Sequence, residues 1–457
     1  MNRHLAKTFI ATGVSAVTIA GFSTPTFAAP LSAATSVHSK DFLMKSAQET
    51  WEFFVKATDN PTGLPADRID VANGSFTPAT DTSPTNIAMY MMSIVAAKDL
   101  NIINQHEASV RMRNLIHELN SLDKWNGFLY NWYNTADGTV NTQKNGHFVS
   151  TVDDGWFAAG LVVAREAFPQ YKSQLSALLN AMDFSRLYDA SYKQLYGGYD
   201  ADSNQMQTWH YGNINTESRV ADYIAIGQGH VPETLWWGVY RTLPSDWTWQ
   251  NQIPAGTTVI HDGVPVFEGH YSLNGVEYVP SWGGSMFEAL MPTLVLDEKD
   301  KAPNGLGLND ERMVDLQIEY AKQKNYPVWG ISPCALPDDG YGVYGVPGLG
   351  TVNYDEDGTI TPHASFLALQ FEPQLAVQNL QTMASKYPAI IGPFGYYDSV
   401  NVRTSKVADS YLALDEGMIM VSLDNSLKRG AIQKDFAKDP IGQKPQHLLA
   451  EENFMIN

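Results

Sequence analysis

The stretch Ser83–Ile103, SPTNIAMYMMSIVAAKDLNII, decides the fold. Ser83 followed by Pro84 is a helix start, because a serine hydroxyl caps a first-turn N–H and proline's fixed φ suits the first helical position. From Ile87 to Ala97 the residues are almost all apolar, with no polar stripe. A helix apolar on every side is a buried one.

The flanking segments are also helical. Upstream, Leu43, Ala47, Trp51, Phe54 and Val55 recur at helical spacing, and residues 57–74, ATDNPTGLPADRIDVANG, form a Pro- and Gly-rich loop. Downstream, helical patterns run over Val110–Leu122, from a start capped by Ser150, Thr151 or an aspartate through Phe168, and over Gln174–Met182. Further ones cover Glu217–Ile226, Pro232–Tyr240, residues 283–296 and Asn309–Lys322. Two more lie in residues 363–387, broken before Pro373, and one long pattern spans residues 405–430.

Only residues 255–280 change texture. There polar and apolar residues alternate around Asp262-Gly263 and Asn274-Gly275, which predicts two small hairpins. Residues 326–359 are rich in Gly and Pro and predict irregular chain. About a dozen helices without a βαβ repeat predict an all-α fold in one domain over residues 40–440, with a small β-hairpin insertion near 255–280.

The first 28 residues carry Arg3 and Lys7, an apolar run from Phe9 to Phe22 and small residues at Thr26-Phe27-Ala28. This is the pattern of an export signal, too short for a membrane span, and it predicts a secreted protein. Cys334 is the single cysteine, so no internal disulfide forms and stability must come from the core. The formal charge of −19 becomes about −21 without the signal, which argues against nucleic acid or an anionic membrane as partner. A neutral glycan fits the charge, and the 11 Trp and 22 Tyr offer sugar-stacking surface as well as core.

Four groups of carboxylates beside aromatics stand out. Asp153 and Asp154 precede Trp156 and either favour a helix N-terminus or line a sugar site. In residues 211–241, YGNINTESRVADYIAIGQGHVPETLWWGVYR, Glu217, Arg219 and Asp222 lie among Tyr211, His230 and Trp236; a charged helix face is the alternative. Glu288 sits in an apolar helical segment close to Trp282, where a carboxylate is costly unless paired or functional. Asp409, Asp415 and Glu416 cluster near Gly417, as a site or as a solvated acidic edge. Trp132 lies in another aromatic loop, KWNGFLYNWYNT. Residues 355–358, Asp-Glu-Asp-Gly, lack the spaced ligands of a calcium loop and predict a turn. The histidines have no zinc-ligand spacing, and no metal is expected.

Paired carboxyl groups in apolar surroundings suit glycosidic bond hydrolysis: one protonates the leaving oxygen, and another activates water or attacks carbon. The segments NPTGLPADRI, FVSTVDDGWFAAGL, NTESRVADYIAIGQGHVPETLWW, SWGGSMFEALMP, PVWGISPCA, TPHASFLAL and SYLALDEGMIMV occur in an order that resembles the bacterial glucoamylase-like glycoside hydrolases. That group includes endo-β-1,2-glucanases and the cyclization domain of cyclic β-1,2-glucan synthases. The resemblance covers residues 50–427 and implies an (α/α)6 toroid with its site at one end.

By that resemblance Glu217 is the first choice for general acid, with Asp153 or Asp154, Glu288, and Asp415 or Glu416 completing the catalytic candidates. Arg219, Trp156, Trp132, Tyr211, His230, Trp236, Trp282 and Asp409 are the substrate-binding candidates. Relatives resembling the synthase carry His-His-Gln where this chain has Leu414-Asp415-Glu416, which favours plain hydrolysis over ring formation. The expected protein is a monomeric hydrolase of an oligo- or polysaccharide, needing no cofactor. A non-catalytic glycan-binding protein on the same fold and a polysaccharide lyase are the alternatives.

Overall fold

The computed structural model describes residues 33–456 apart from Asp339, with side chains from Ser39 onward. The expected export signal, residues 1–28, lies outside the described residues. Eleven helices organise the chain: α1 (Ala33–Ala57), α2 (Pro84–Asp99), α3 (Gln105–Ser121), α4 (Thr151–Ala167), α5 (Lys172–Asn180), α6 (Arg219–Gln228), α7 (Met286–Leu290), α8 (Leu306–Gln323), α9 (Pro362–Leu367), α10 (Pro373–Lys386) and α11 (Ala413–Leu427).

Helix α2 is buried from Pro84 through Ala97, as its uniform apolar sequence requires, and Ser83 caps it by accepting from Asn86 N at 3.1 Å. It packs on α4 and α11; α4 continues to α6, and α11 to α9 and then α7. Arg219 at the start of α6 reaches the Ala289 carbonyl of α7 at 2.8 Å and closes the series. Each of these six helices has an outer companion: α3 on α2, α5 on α4, α8 on α7, α10 on α9 and α1 on α11, while a short helix, Pro440–Gln443, covers α6. Inner helices buried all round and outer helices buried on one side form a helix-rich fold that fits an α/α toroid.

The β excursion differs from two separate hairpins. It is one three-stranded antiparallel meander, β1 (Ala255–His261), β2 (Val264–Leu273) and β3 (Val276–Tyr278), because β2 is long enough to pair on both sides. Asp262-Gly263 and Asn274-Gly275 turn it with φ of 47°, 78°, 54° and 82°, the positive pair that two-residue hairpin loops need.

Three helical expectations are shortened, the first being residues 283–296, which are α-helical only over Met286–Leu290. Residues 232–240 yield only the helix Thr234–Gly238, and the pattern over 405–430 begins as a strand, Ser410–Leu412, before α11. The strand wins there because Ile69 and its neighbours offer an edge that pairs with Tyr411. The 355–358 segment is a turn: Asp357 accepts from Thr359 N, and Glu356 is held by Tyr320, Tyr326 and Gly358. Packing continues past residue 440, since buried Glu452 accepts from Trp236 and pairs with Arg241.

Candidate active site

The inner helices bring their N-terminal turns to one end. Thr85 of α2 donates to Asp153 of α4 at 2.6 Å, and Asn86 donates to Asp67 at 2.8 Å. Glu217 lies two residues before α6, Glu288 in the first turn of α7, His363 in that of α9, and Asp415 in that of α11. Helix N-termini favour negative charge, so carboxylates gather here at less cost than elsewhere in a helical core.

Glu217 is half-buried, and its Oε2 is enclosed with no hydrogen-bond partner among the described residues. Burial, followed by the Glu288 charge, pushes its pKa to about 8, against the lowering influence of its own backbone N–H and of Arg219. The carboxyl group is therefore protonated at neutral pH. Tyr211 is placed near Asp153 and Glu217, and its hydroxyl is raised by burial and by those two charges.

Glu288 is held rigidly. It accepts from Ser281 Oγ (2.9 Å), Gly283 N (3.0 Å), Ser285 Oγ (2.9 Å) and Tyr354 OH (3.0 Å), and with Ser285 it forms a reciprocal capping box. Gly283 is required at its position, because a Cβ would come within 2.0 Å of the Tyr354 ring. A carboxylate so fully engaged is a fixed negative neighbour for Glu217.

A second acidic group stands on the other side. Asp398 and Asp415 are buried and hydrogen-bonded to each other; Asp398 also accepts from Ala335 N. Burial raises both, Asp398 to about 6, and the mutual repulsion of two such charges means that the pair shares a proton near neutrality. His363 Nδ1 is 3.3 Å from Asp415 Oδ2, and burial lowers its pKa to about 3, so the imidazole is neutral. Glu416 is buried beside them, its carboxyl raised by burial and by the Asp398 charge.

Tyr341 joins the two groups. More than half its surface is exposed, yet its hydroxyl is crowded by protein and feels the charges of Asp415, Asp398 and Glu217, all of which raise its pKa. Glu217 and the Asp398–Asp415 pair thus both lie within electrostatic reach of one tyrosine hydroxyl. His363, Asp398 and Asp415 each place one ligating atom within 4.8 Å of the others, the donor types of a divalent-metal site. The shared proton accounts for the same closeness.

Several sequence candidates are placed elsewhere. Arg219 is completely buried, bidentate to Glu298 at 2.8 and 2.6 Å and 3.7 Å from Asp310, so it is a core ion-pair centre with no face for a substrate. Trp156 and Trp236 are also in the core, as their size and apolar neighbours favour, with the Trp236 indole N–H donated to Glu452. His230 follows the far end of α6, about 15 Å along the axis from Glu217 by helical rise, beside Asp183. Asp222 is buried within α6 and raised by desolvation alone. Asp409 is exposed, and its carbonyl serves Val71 N.

Asp153 keeps a site position, half-buried between Thr85 and Asn131, whereas Asp154 is fully buried and accepts from Leu129 N. Trp132 is half-buried with Lys144 Nζ 3.2 Å above its ring, and Trp282 is 39% exposed. Asp398, His363, Tyr341 and Tyr354 were not singled out from sequence. Asp398 lies in GYYDSV, a segment with no helical period or motif, and its only signal is the partner it meets in three dimensions.

A cavity of about 1110 Å³ opens at the opposite pole, lined by the last turns of α11 and by Gln370 and Gln433. Its polar side chains largely bond one another or the backbone, as Gln433 does to the Thr293 carbonyl and Gln370.

Known proteins share this architecture. Residues 252–440 match the family Glycoamylase, described as "Putative glucoamylase". Residues 45–235 match a family described as a protein of unknown function, DUF3131. The chain is 27% identical over 317 residues to the cyclic beta-(1,2)-glucan synthase NdvB of Rhizobium meliloti, covering 66% of this chain and 10% of that protein. The chain thus spans about a tenth of the length of the curated relative it matches.

Its fold is that of the endo-beta-1,2-glucanase from Chitinophaga pinensis, with a TM-score of 0.68 at 18% identity over 90% of this chain and 98% of that one. The beta-1,2-glucanase from Parabacteroides distasonis gives a TM-score of 0.72 at 16% identity over 90% and 60%. These neighbours show a shared fold.

Proposed function

We propose that the protein is a secreted glycoside hydrolase that cleaves a β-1,2-linked glucan by carboxylate acid/base catalysis, using one (α/α)6 domain over residues 40–440. The observation that carries this reading is that the Tyr341 hydroxyl feels both Glu217, whose carboxyl is raised to about 8, and the buried, hydrogen-bonded Asp398–Asp415 pair.

Glu217 gives its proton to the glycosidic oxygen as the bond to the anomeric carbon breaks. The charged member of the Asp398–Asp415 pair receives the proton of the attacking water, and Tyr341 lies between the two events. Glu288 and the apolar surround hold Glu217 in its acid form; Asp153, Tyr211 and Trp282 line the substrate. Leu414-Asp415-Glu416 in place of the synthase-like His-His-Gln favours water over a sugar hydroxyl as acceptor.

The linkage rests on the similarity to β-1,2-glucanases and to a cyclic β-1,2-glucan synthase, and the expected export on the first 28 residues. Reducing-sugar release from linear β-1,2-, β-1,3- and β-1,4-glucans by the parent and Glu217→Gln proteins tests the reading. Release from the β-1,2 polymer by the parent alone is expected. No release from any of the three would overturn it, and N-terminal sequencing of protein from the culture medium, expected to start after Ala28, tests export.

A further inference from the structure

Residues 244–253, PSDWTWQNQI, carry none of the site's carboxyl groups, and they place two indoles in solvent. Trp247 is 38% exposed and Trp249 56%, beside Trp282 at 39%. The rings form a row: Tyr240 to Trp247 at 6.0 Å, Trp247 to Trp249 stacked at 5.8 Å, and Trp249 to Trp282 at 6.3 Å between centroids. Indoles are normally largely buried, so several exposed in a row mark a surface kept for contact.

The row is rigid. Gln250 Nε2 donates to the Pro244 carbonyl and its Oε1 accepts from Tyr271, while Asn251 bonds the Thr351 and Gly350 carbonyls and Asn353. Thr351 N in turn donates to the Ser281 carbonyl and Val352 N to that of Trp282. A flexible tip would not hold ring spacings; a braced one does.

Both ends of the row join the segments that carry the site's carboxyl groups. Tyr240 N donates to the Gly212 carbonyl and its own carbonyl accepts from Ile214 N, in the strand-like run that leads to Glu217. Trp282 precedes Gly283, whose N–H holds Glu288.

We propose that Trp247, Trp249 and Trp282 form a stacking track for the β-glucan chain beyond the cleavage point, binding successive sugar rings outside the carboxylate site. This rests on the reading of the site as a β-glucan hydrolase. Each indole offers an apolar face to the C–H face of a pyranose, and the ring-to-ring steps are on the scale of one sugar unit. The consequence is preference for long chains over short ones.

The test is KM on β-1,2-glucan polymer against KM on a β-1,2-linked trisaccharide for the parent and for Trp247→Ala and Trp249→Ala, with tryptophan fluorescence titration of the same polymer. Each variant is expected to raise the polymer KM and weaken polymer binding about tenfold, as loss of an aromatic anchor does, with little change in kcat or on the trisaccharide. Unchanged polymer binding and KM in both variants, with the parent active, would overturn the track and leave the hydrolase reading standing. A parent that cleaves no β-glucan yet binds the polymer through Trp249 would overturn the hydrolase reading and leave the track. Light scattering adds a further outcome: concentration-dependent dimers abolished by Trp249→Ala, with polymer binding intact, would reassign the row to a contact between copies.

Discussion

Glu288 acts on Glu217 without sharing a hydrogen bond with it. Its carboxylate is immobilised by Ser281, Gly283, Ser285 and Tyr354, and from there its charge adds to desolvation in holding Glu217 protonated. The α7 capping box is therefore a positioning device for the acid as well as a helix start. The Glu288→Gln substitution keeps an acceptor at the cap but removes the charge. The alkaline limb of the pH–rate profile is expected to move down by about one unit, with a melting-temperature loss consistent with about 1 kcal/mol of capping. An unmoved alkaline limb in a folded Glu288→Gln protein would show that the charge does not act on the acid.

The parent profile itself should be bell-shaped. Glu217, near 8, must keep its proton, and the Asp398–Asp415 pair, titrating near 6, must lose one. Activity is expected to fall below about pH 6 and above about pH 8, measured as kcat/KM against pH. A flat profile between pH 5 and 9 would contradict both assignments.

Removing the proton donor has two signatures. Glu217→Gln should lower kcat by at least about a hundredfold, the usual contribution of a positioned acid. It should also change how stability depends on pH. A carboxyl whose folded pKa is raised from 4.5 to about 8 adds stability that is complete below 4.5 and is lost as pH rises through 8. The variant lacks this dependence, so its melting temperature should gain on the parent's between about pH 5 and pH 9.

Asp398→Asn divides the proton-sharing pair. The remaining Asp415 loses the partner that repels its charged form, and the acid limb should shift. The loss of kcat should be about a hundredfold or more, on the scale of an acid/base group. Circular dichroism that matches the parent's would assign the loss to chemistry.

Arg219 should behave as a structural residue. Substituting Met leaves Glu298 and Asp310 buried and unpaired, a change of about 3–5 kcal/mol. Urea unfolding should show that loss, while the KM of the folded fraction stays near the parent's. A raised KM with unchanged stability would return Arg219 to the substrate.

The sequence by itself determined the local architecture. Uniform apolarity marked α2 as buried, and Asp262-Gly263 and Asn274-Gly275 marked the turns of the meander. These follow from short-range sterics and hydrogen bonding, which neighbouring residues decide. Glu217 was legible as a candidate, but its proton was not, because that depends on burial and on Glu288 from another helix.

Only the tertiary structure decided which charges are chemistry. Arg219, two residues from Glu217, turned into the core toward Glu298, and Asp398, unremarkable in sequence, met Asp415 from a different segment. The Trp247–Trp249–Trp282 row exists because loops around residues 250, 282 and 351 brace one another. A carboxyl group's protonation state is set by desolvation and through-space charge, and both depend on residues far apart in the chain.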